Sequence, residues 1–147
     1  MQLTGKHVVT APASKVWQIL MDPETLARIV PGITKLERID DSSFLATVSI
    51  KLGPISSSFT GNLRMEDIQE EKGFTLKVQQ NSKIGNANAV IKIDIVPVSE
   101  SQAEVSFDGD VKLSGMLASM GQRVLGGVVN TLSKQFFTNL ESELEPK

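Results

Sequence analysis

Apolar and polar residues alternate through the middle of the chain, from Ile33 to Ser114. A period of two is the signature of half-buried strands. Phe44, Ala46, Val48, Ile50 and Leu52 share one face, against Thr47, Ser49 and Lys51 on the other. Phe59, Gly61, Leu63 and Met65 repeat the pattern, as do Phe74, Leu76 and Val78. Ala87, Ala89, Ile91, Ile93 and Ile95 follow, then Ala103, Val105, Phe107, Gly109, Val111 and Leu113. Connections such as DDSS, LGP and EEKG are short and turn-rich, which predicts antiparallel pairing of consecutive strands. A weaker alternation over Gln2–Thr10 predicts a further strand, for a sheet of six to seven strands. One face of that sheet is apolar throughout, so something must cover it.

The helical period appears at both ends. Val16, Trp17, Leu20 and Met21 form one stripe after Pro12 and Ser14, a first-turn proline and a candidate N-cap. Asp22-Pro23 ends that helix, and a second short one, ETLARI, runs to the PG at 31–32. From Met116 to Leu144 there is no proline, and Leu117, Met120, Val124, Val128, Leu132, Phe136 and Leu140 recur at spacings of three and four. This predicts one helix of about seven turns, roughly 40 Å long at 1.5 Å rise per residue. A long C-terminal helix laid on a curved antiparallel sheet, with two short helices after the first strand, is an α+β helix-grip architecture. All 147 residues read as a single domain of that kind.

Composition narrows the chemistry. The chain has no cysteine and no tyrosine, and one histidine. Thiol nucleophiles, disulfide frameworks and a two-histidine metal centre are therefore excluded, and no metal or cofactor is expected. A net charge of -2 without a basic stripe argues against a nucleic-acid partner. No apolar run approaches the roughly 20 residues needed to span a bilayer, and the N-terminus lacks a signal-peptide pattern. His7 reads as a strand histidine, with no carboxylate partner evident nearby in the sequence. Asp40-Asp41 and Glu70-Glu71 read as turn carboxylates, not an acid/base pair. Gly121, Gly126 and Gly127 fit no phosphate-binding fingerprint.

The inner face mixes large side chains with very small ones, among them Ala46, Gly61, Ala87, Ala89 and Gly109. The first half of the long helix is glycine- and methionine-rich, which predicts close backbone approach or a bend, with adaptable apolar contacts. Two readings follow: a ligand cavity under that half, with Phe136, Leu140 and Leu144 packing the solid end, or small residues that merely let the sheet curve tightly. Val30-Pro31-Gly32-Ile33 and the Pro54-Ile55 connection are the candidate rim. Trp17 reads as core before it reads as a stacking platform.

Specific segments carry a family resemblance. VWQILMDPETLARIVPGITKLE, KLGPISSSFTGNL, GMLASMGQRVLGGVV and KQFFTNLE follow in order between Ala11 and Glu141. Together they resemble the G-subunit family of carbon monoxide dehydrogenase. The resemblance implies the fold of START, polyketide cyclase and birch-pollen-allergen domains, which grip a hydrophobic ligand between sheet and helix. It implies a partner as well, a molybdenum-containing hydroxylase of the carbon monoxide dehydrogenase type, and a role in recruitment or in handling a quinone-like acceptor. Many members of that family extend into a membrane anchor. This chain closes at Glu145-Pro146-Lys147, so no intrinsic anchor is expected. A cytoplasmic protein that meets the inner membrane only through a partner is the expectation.

The combined expectation is a non-catalytic binding protein that holds a quinone, isoprenoid or other lipid. Its site would be lined by Trp17, Val30, Ile33, Phe44, Val48, Phe59, Gly61, Leu63, Phe74, Leu76, Ala89, Ile91, Phe107, Leu117, Met120 and Val124. An assembly or recruitment factor with a filled core, and a cyclase- or aromatase-type enzyme on the same fold, are the alternatives.

Overall fold

A computed structural model describes residues 2–52 and 55–144. Seven strands form one curved antiparallel sheet: β1 (Gln2–Val9), β2 (Ile33–Arg38), β3 (Ser43–Leu52), β4 (Ile55–Gln69), β5 (Gly73–Ser82), β6 (Gly85–Ser99) and β7 (Gln102–Leu113). Their order across the sheet is β1-β7-β6-β5-β4-β3-β2. Neighbours after β2 are consecutive hairpins, as the short turns require, and β1 closes onto β7 with Gln2 opposite Asp110 and Val9 opposite Ala103. Pro54, of the predicted Pro54-Ile55 rim, lies outside the described residues, as does Gly53.

The two short helices fall where the pattern predicts. In α1 (Ala13–Met21), Val16, Trp17 and Leu20 are buried at helical spacing. Its cap differs from expectation: Pro12, not Ser14, is the N-cap residue, and its carbonyl accepts from the N–H groups of Lys15 and Val16. No side chain caps this end. Asp22 both ends α1 and starts α2 (Pro23–Ile29). Its N–H donates to the Ile19 carbonyl, and its carboxylate accepts from the Glu24 N–H at 3.3 Å and the Thr25 hydroxyl at 2.7 Å. Pro23 then occupies the first helical position, where a missing N–H costs nothing.

The long C-terminal helix is the main departure. It is broken into a single turn, α3 (Met116–Ser119), and a 23-residue helix, α4 (Gln122–Leu144), about 35 Å long. Met120 is extended, with φ -71° and ψ 132°, and Gly121 follows it in the break. Beyond the break the predicted stripe resumes with Val128, Leu132, Phe136 and Leu140 half-buried or buried, while Val124, in the first turn of α4, is 40% exposed.

The core has two parts. The larger joins α1, α2, β1, the inner face of the sheet and the C-terminal half of α4, around Val9, Val16, Leu20, Ile29, Val105 and Leu140. Each such fully buried aliphatic side chain contributes on the order of 1.5–3 kcal/mol. The smaller core sets Phe59 against Leu117, flanked by Ile50, Ile84, Leu113, Met120 and Val128. Val48 touches both.

Candidate functional site

The C-terminal half of α4 is clamped onto the sheet and onto α2. Phe137, Leu140 and Leu144 are buried, and Phe136 packs against them from a half-buried position. The Arg28 guanidinium donates to Glu143 at 2.6 Å, and the Asn139 amide donates to the Ile29 carbonyl at 3.1 Å. The ion pair with Glu143 raises the Arg28 pKa above its ordinary value. Phe137 stacks on Phe107 at 5.8 Å between ring centroids and lies 5.1 Å from the His7 ring. His7 Nε2 is 3.0 Å from a carboxylate oxygen of Glu141. Lone in the sequence, the histidine thus has a carboxylate partner 134 residues away. It shares the inner face of β1 with Leu3, Gly5 and Val9, and the Phe107 ring lies directly over Gly5.

The N-terminal half of α4 differs. Gln122, Arg123, Val124, Gly126 and Gly127 are exposed, and a methyl group placed on Gly121, Gly126 or Gly127 would meet no neighbouring atom within 4 Å. Of the two expectations for these glycines, close backbone approach does not occur, whereas the helix is interrupted at Met120–Gly121. Elsewhere on the inner face of the sheet, Val48, Leu76, Val78, Ile91 and Val111 are only half-buried. Apolar side chains in the middle of a seven-stranded sheet keep solvent contact only where the covering layer is incomplete. A separate cleft of about 570 Å³ lies along the edge strand β1, running from Gly126 past Asn130 and Ser133 to Glu141, with Thr4 to His7 as its other wall, and none of the predicted ligand-site residues lines it.

The predicted site residues therefore divide. Trp17, Phe44, Leu63 and Phe74 are buried in the larger core, with Trp17 edge-on to Phe74 at 6.2 Å. Phe59 and Leu117 form the smaller core, with Met120 against it. Ala89 is buried, while Val48, Leu76, Ile91 and Phe107 are half-buried on the inner face. Val30 and Ile33 are half-buried at the end of α2 and the start of β2, where the Gly32 carbonyl accepts from the Ser49 N–H at 2.8 Å. Gly61 and Gly109 have a different cause from the one that makes room: a Cβ at Gly61 would strike the Gln79 carbonyl, and one at Gly109 would lie 2.7 Å from the Val90 carbonyl. They let neighbouring strands approach closely where the sheet bends.

Sequence reasoning missed Gln80. It follows Phe74, Leu76 and Val78 in the alternation of β5 and is 5% exposed. Neither its Oε1 nor its Nε2 has a hydrogen-bond partner among the described residues. A buried polar group left unpaired costs about 1–3 kcal/mol, so its presence calls for a reason. A polar residue at an inner-face register position was the available signal.

The outer face is charged and solvated. Glu66 lies 2.9 Å from Lys77 and 3.4 Å from Arg64, and its carboxyl is held below the usual carboxylate range chiefly by Lys77. Asp40 accepts from the Ser42 N–H at 2.9 Å, which lowers its pKa and fits its reading as a turn former. No cluster of His, Asp and Glu suited to a metal ion occurs among the described residues. No helix among them is long and apolar enough to cross a membrane.

This architecture is that of START and polyketide cyclase proteins. A conserved protein from Geobacillus kaustophilus superposes with a TM-score of 0.92 at 26% identity, over 97% of this chain and 94% of that one. The Zhui aromatase/cyclase from Streptomyces sp. R1128 gives 0.74 at 13% identity, over 97% and 92%. A START superfamily protein from Mycobacterium smegmatis gives 0.73 at 16%, over 97% and 95%. The last two likenesses concern the fold alone. The chain belongs to the CoxG family, the G subunits of carbon monoxide dehydrogenase, whose profile matches residues 5–145. No curated protein sequence matches it significantly.

Proposed function

We propose that the chain acts as one non-catalytic ligand-binding domain that holds a quinone- or lipid-like molecule between the sheet and the N-terminal half of α4. The observations that carry this reading are an apolar inner face that is only half-buried and a helix segment whose glycines meet nothing. Burial of apolar ligand surface would supply affinity at about 25 cal/mol per Å² before association costs. Val48, Leu76, Ile91, Met120 and Val124 would meet the ligand directly, while Trp17, Val30, Ile33, Phe44, Phe59, Gly61, Leu63, Phe74, Ala89, Phe107 and Leu117 would shape the wall behind them. Membership of the CoxG family supports a role accessory to a molybdenum-containing carbon monoxide dehydrogenase-type hydroxylase, in the cytoplasm, with the membrane reached through that partner.

One observation favours a second reading. The His7–Glu141 pair lines the cleft beside β1 and has the form of an oriented general base. An enzyme of the cyclase kind would use it, and His7→Ala would then abolish turnover while leaving ligand affinity intact.

Native mass spectrometry with organic extraction of the purified protein tests the carrier reading. An apolar molecule should co-purify, or a quinone at a hundred times its Kd should stabilise the protein by about 2.7 kcal/mol. That corresponds to a Tm rise on the order of 5–10 °C for a chain of this size. A protein that comes out empty, and whose melting is unmoved by quinones, fatty acids and sterols, overturns it.

A further inference from the structure

Gln80 is the one side chain among the described residues whose buried polar atoms have no hydrogen-bond partner. Its side chain shares the inner face of β5 with Val78 and Ser82. Its direct cross-strand neighbours on that face are Gly61 on β4 and Ala87 on β6, neither of which carries a side chain larger than a methyl group. Ser82, the next polar group on the strand, is already committed: its hydroxyl donates to the Gly85 carbonyl at 2.7 Å and accepts from the Ile84 N–H. The amide therefore keeps two N–H donors and a carbonyl acceptor in a buried, otherwise apolar setting.

The geometry points to Gln80 as the polar anchor of the interior site: its amide hydrogen-bonds a neutral carbonyl or hydroxyl oxygen on the head group of the apolar ligand. The sheet side of the site disfavours an anionic head group. None of the inner-face residues of β4 from Ser57 to Met65, of β5, or of β6 from Ala87 to Ile95 carries a positive charge, and a buried carboxylate without a cation is disfavoured far more strongly than a neutral oxygen. The ligand class is thus a quinone, ketone or alcohol on an isoprenoid or aromatic frame, and not a fatty-acid anion or a hydrocarbon. This inference rests on the carrier reading and adds to it the polar chemistry of the ligand.

The test uses three probes on the full chain: 2-methyl-3-geranyl-1,4-naphthoquinone, the corresponding naphthalene without the two oxygens, and palmitate. The wild-type protein should bind the naphthoquinone most tightly. Gln80→Met, a near-isostere, should weaken it by about tenfold or more, the worth of one good hydrogen bond, and leave naphthalene binding within about twofold. Equal effects on both probes, no effect on either, or tightest binding of palmitate overturns the anchor and leaves the carrier reading standing. Failure of the wild type to bind any of the three overturns both. The side-chain amide resonance of Gln80 in the wild type gives a readout independent of the variant's folding. It should shift with the naphthoquinone and not with the naphthalene; an unmoved resonance in the bound state overturns the anchor.

Discussion

The two halves of α4 share one helix and differ in almost everything else. From Phe136 to Leu144 the helix buries three large side chains, stacks Phe137 on Phe107, and is tied to α2 by Arg28–Glu143 and Asn139–Ile29. From Gln122 to Gly127 it exposes nearly every residue and carries two adjacent glycines at which an added methyl group would meet nothing. One half secures the fold; the other leaves room. A helix-grip protein that must admit a ligand needs both, because the lock at one end allows incomplete cover at the other without loss of the fold.

Substitutions along α4 should show this gradient. The largest effect is expected at Leu140, which is fully buried: Leu140→Ala should cost about 2–5 kcal/mol in denaturant unfolding, whereas Val124→Ala at the other end should stay within about 0.5 kcal/mol. Comparable losses at the two positions would abolish the distinction. A smaller effect of opposite sign is expected at the glycines. Gly126 and Gly127 are helical, and an added methyl group meets nothing, so Gly126→Ala and Gly127→Ala should each stabilise by roughly 0.5–1 kcal/mol. A loss of stability would mean that something packs there after all.

The smallest effect lies on the outer face and should be blind to the two halves. Glu66 has its pKa depressed by Lys77, so the stabilisation from this pair is present above the ordinary carboxylate pKa and is lost as pH falls through the folded-state value. In an acid titration of stability, Glu66→Gln should slightly flatten the decline over that window and leave neutral-pH stability nearly unchanged. A steeper acid decline in the variant would contradict the assignment.

Much of this was legible in the sequence, and the exceptions have physical causes. Strands such as Phe44–Ile50 and Ala103–Leu113 declare themselves because one face meets a core and the other meets water. Asp22-Pro23 marks a boundary because proline and a capping carboxylate act locally. The break at Met120–Gly121 was half legible: the glycines of this stretch pointed to a bend or to close backbone approach, and only the structure shows where the helix is interrupted. Gly61 and Gly109 illustrate a second limit. A missing side chain can make room or permit close approach, and only the strand pairing shows that carbonyls of Gln79 and Val90 stand in the way. The His7–Glu141 pair joins the two ends of the chain, beyond the reach of any local pattern. Gln80 was within reach, because the alternation that identifies Phe74, Leu76 and Val78 places it on the same inner face.

Hydrogen exchange resolved along α4, with and without the naphthoquinone probe, tests the central claim most directly. In the free protein, amides from Leu125 to Asn130 should exchange much faster than those from Phe136 to Leu144, and the probe should slow the first group while leaving the second unchanged. Uniform protection along the helix in the free protein, or a bound probe that leaves the N-terminal half exchanging as before, would contradict it.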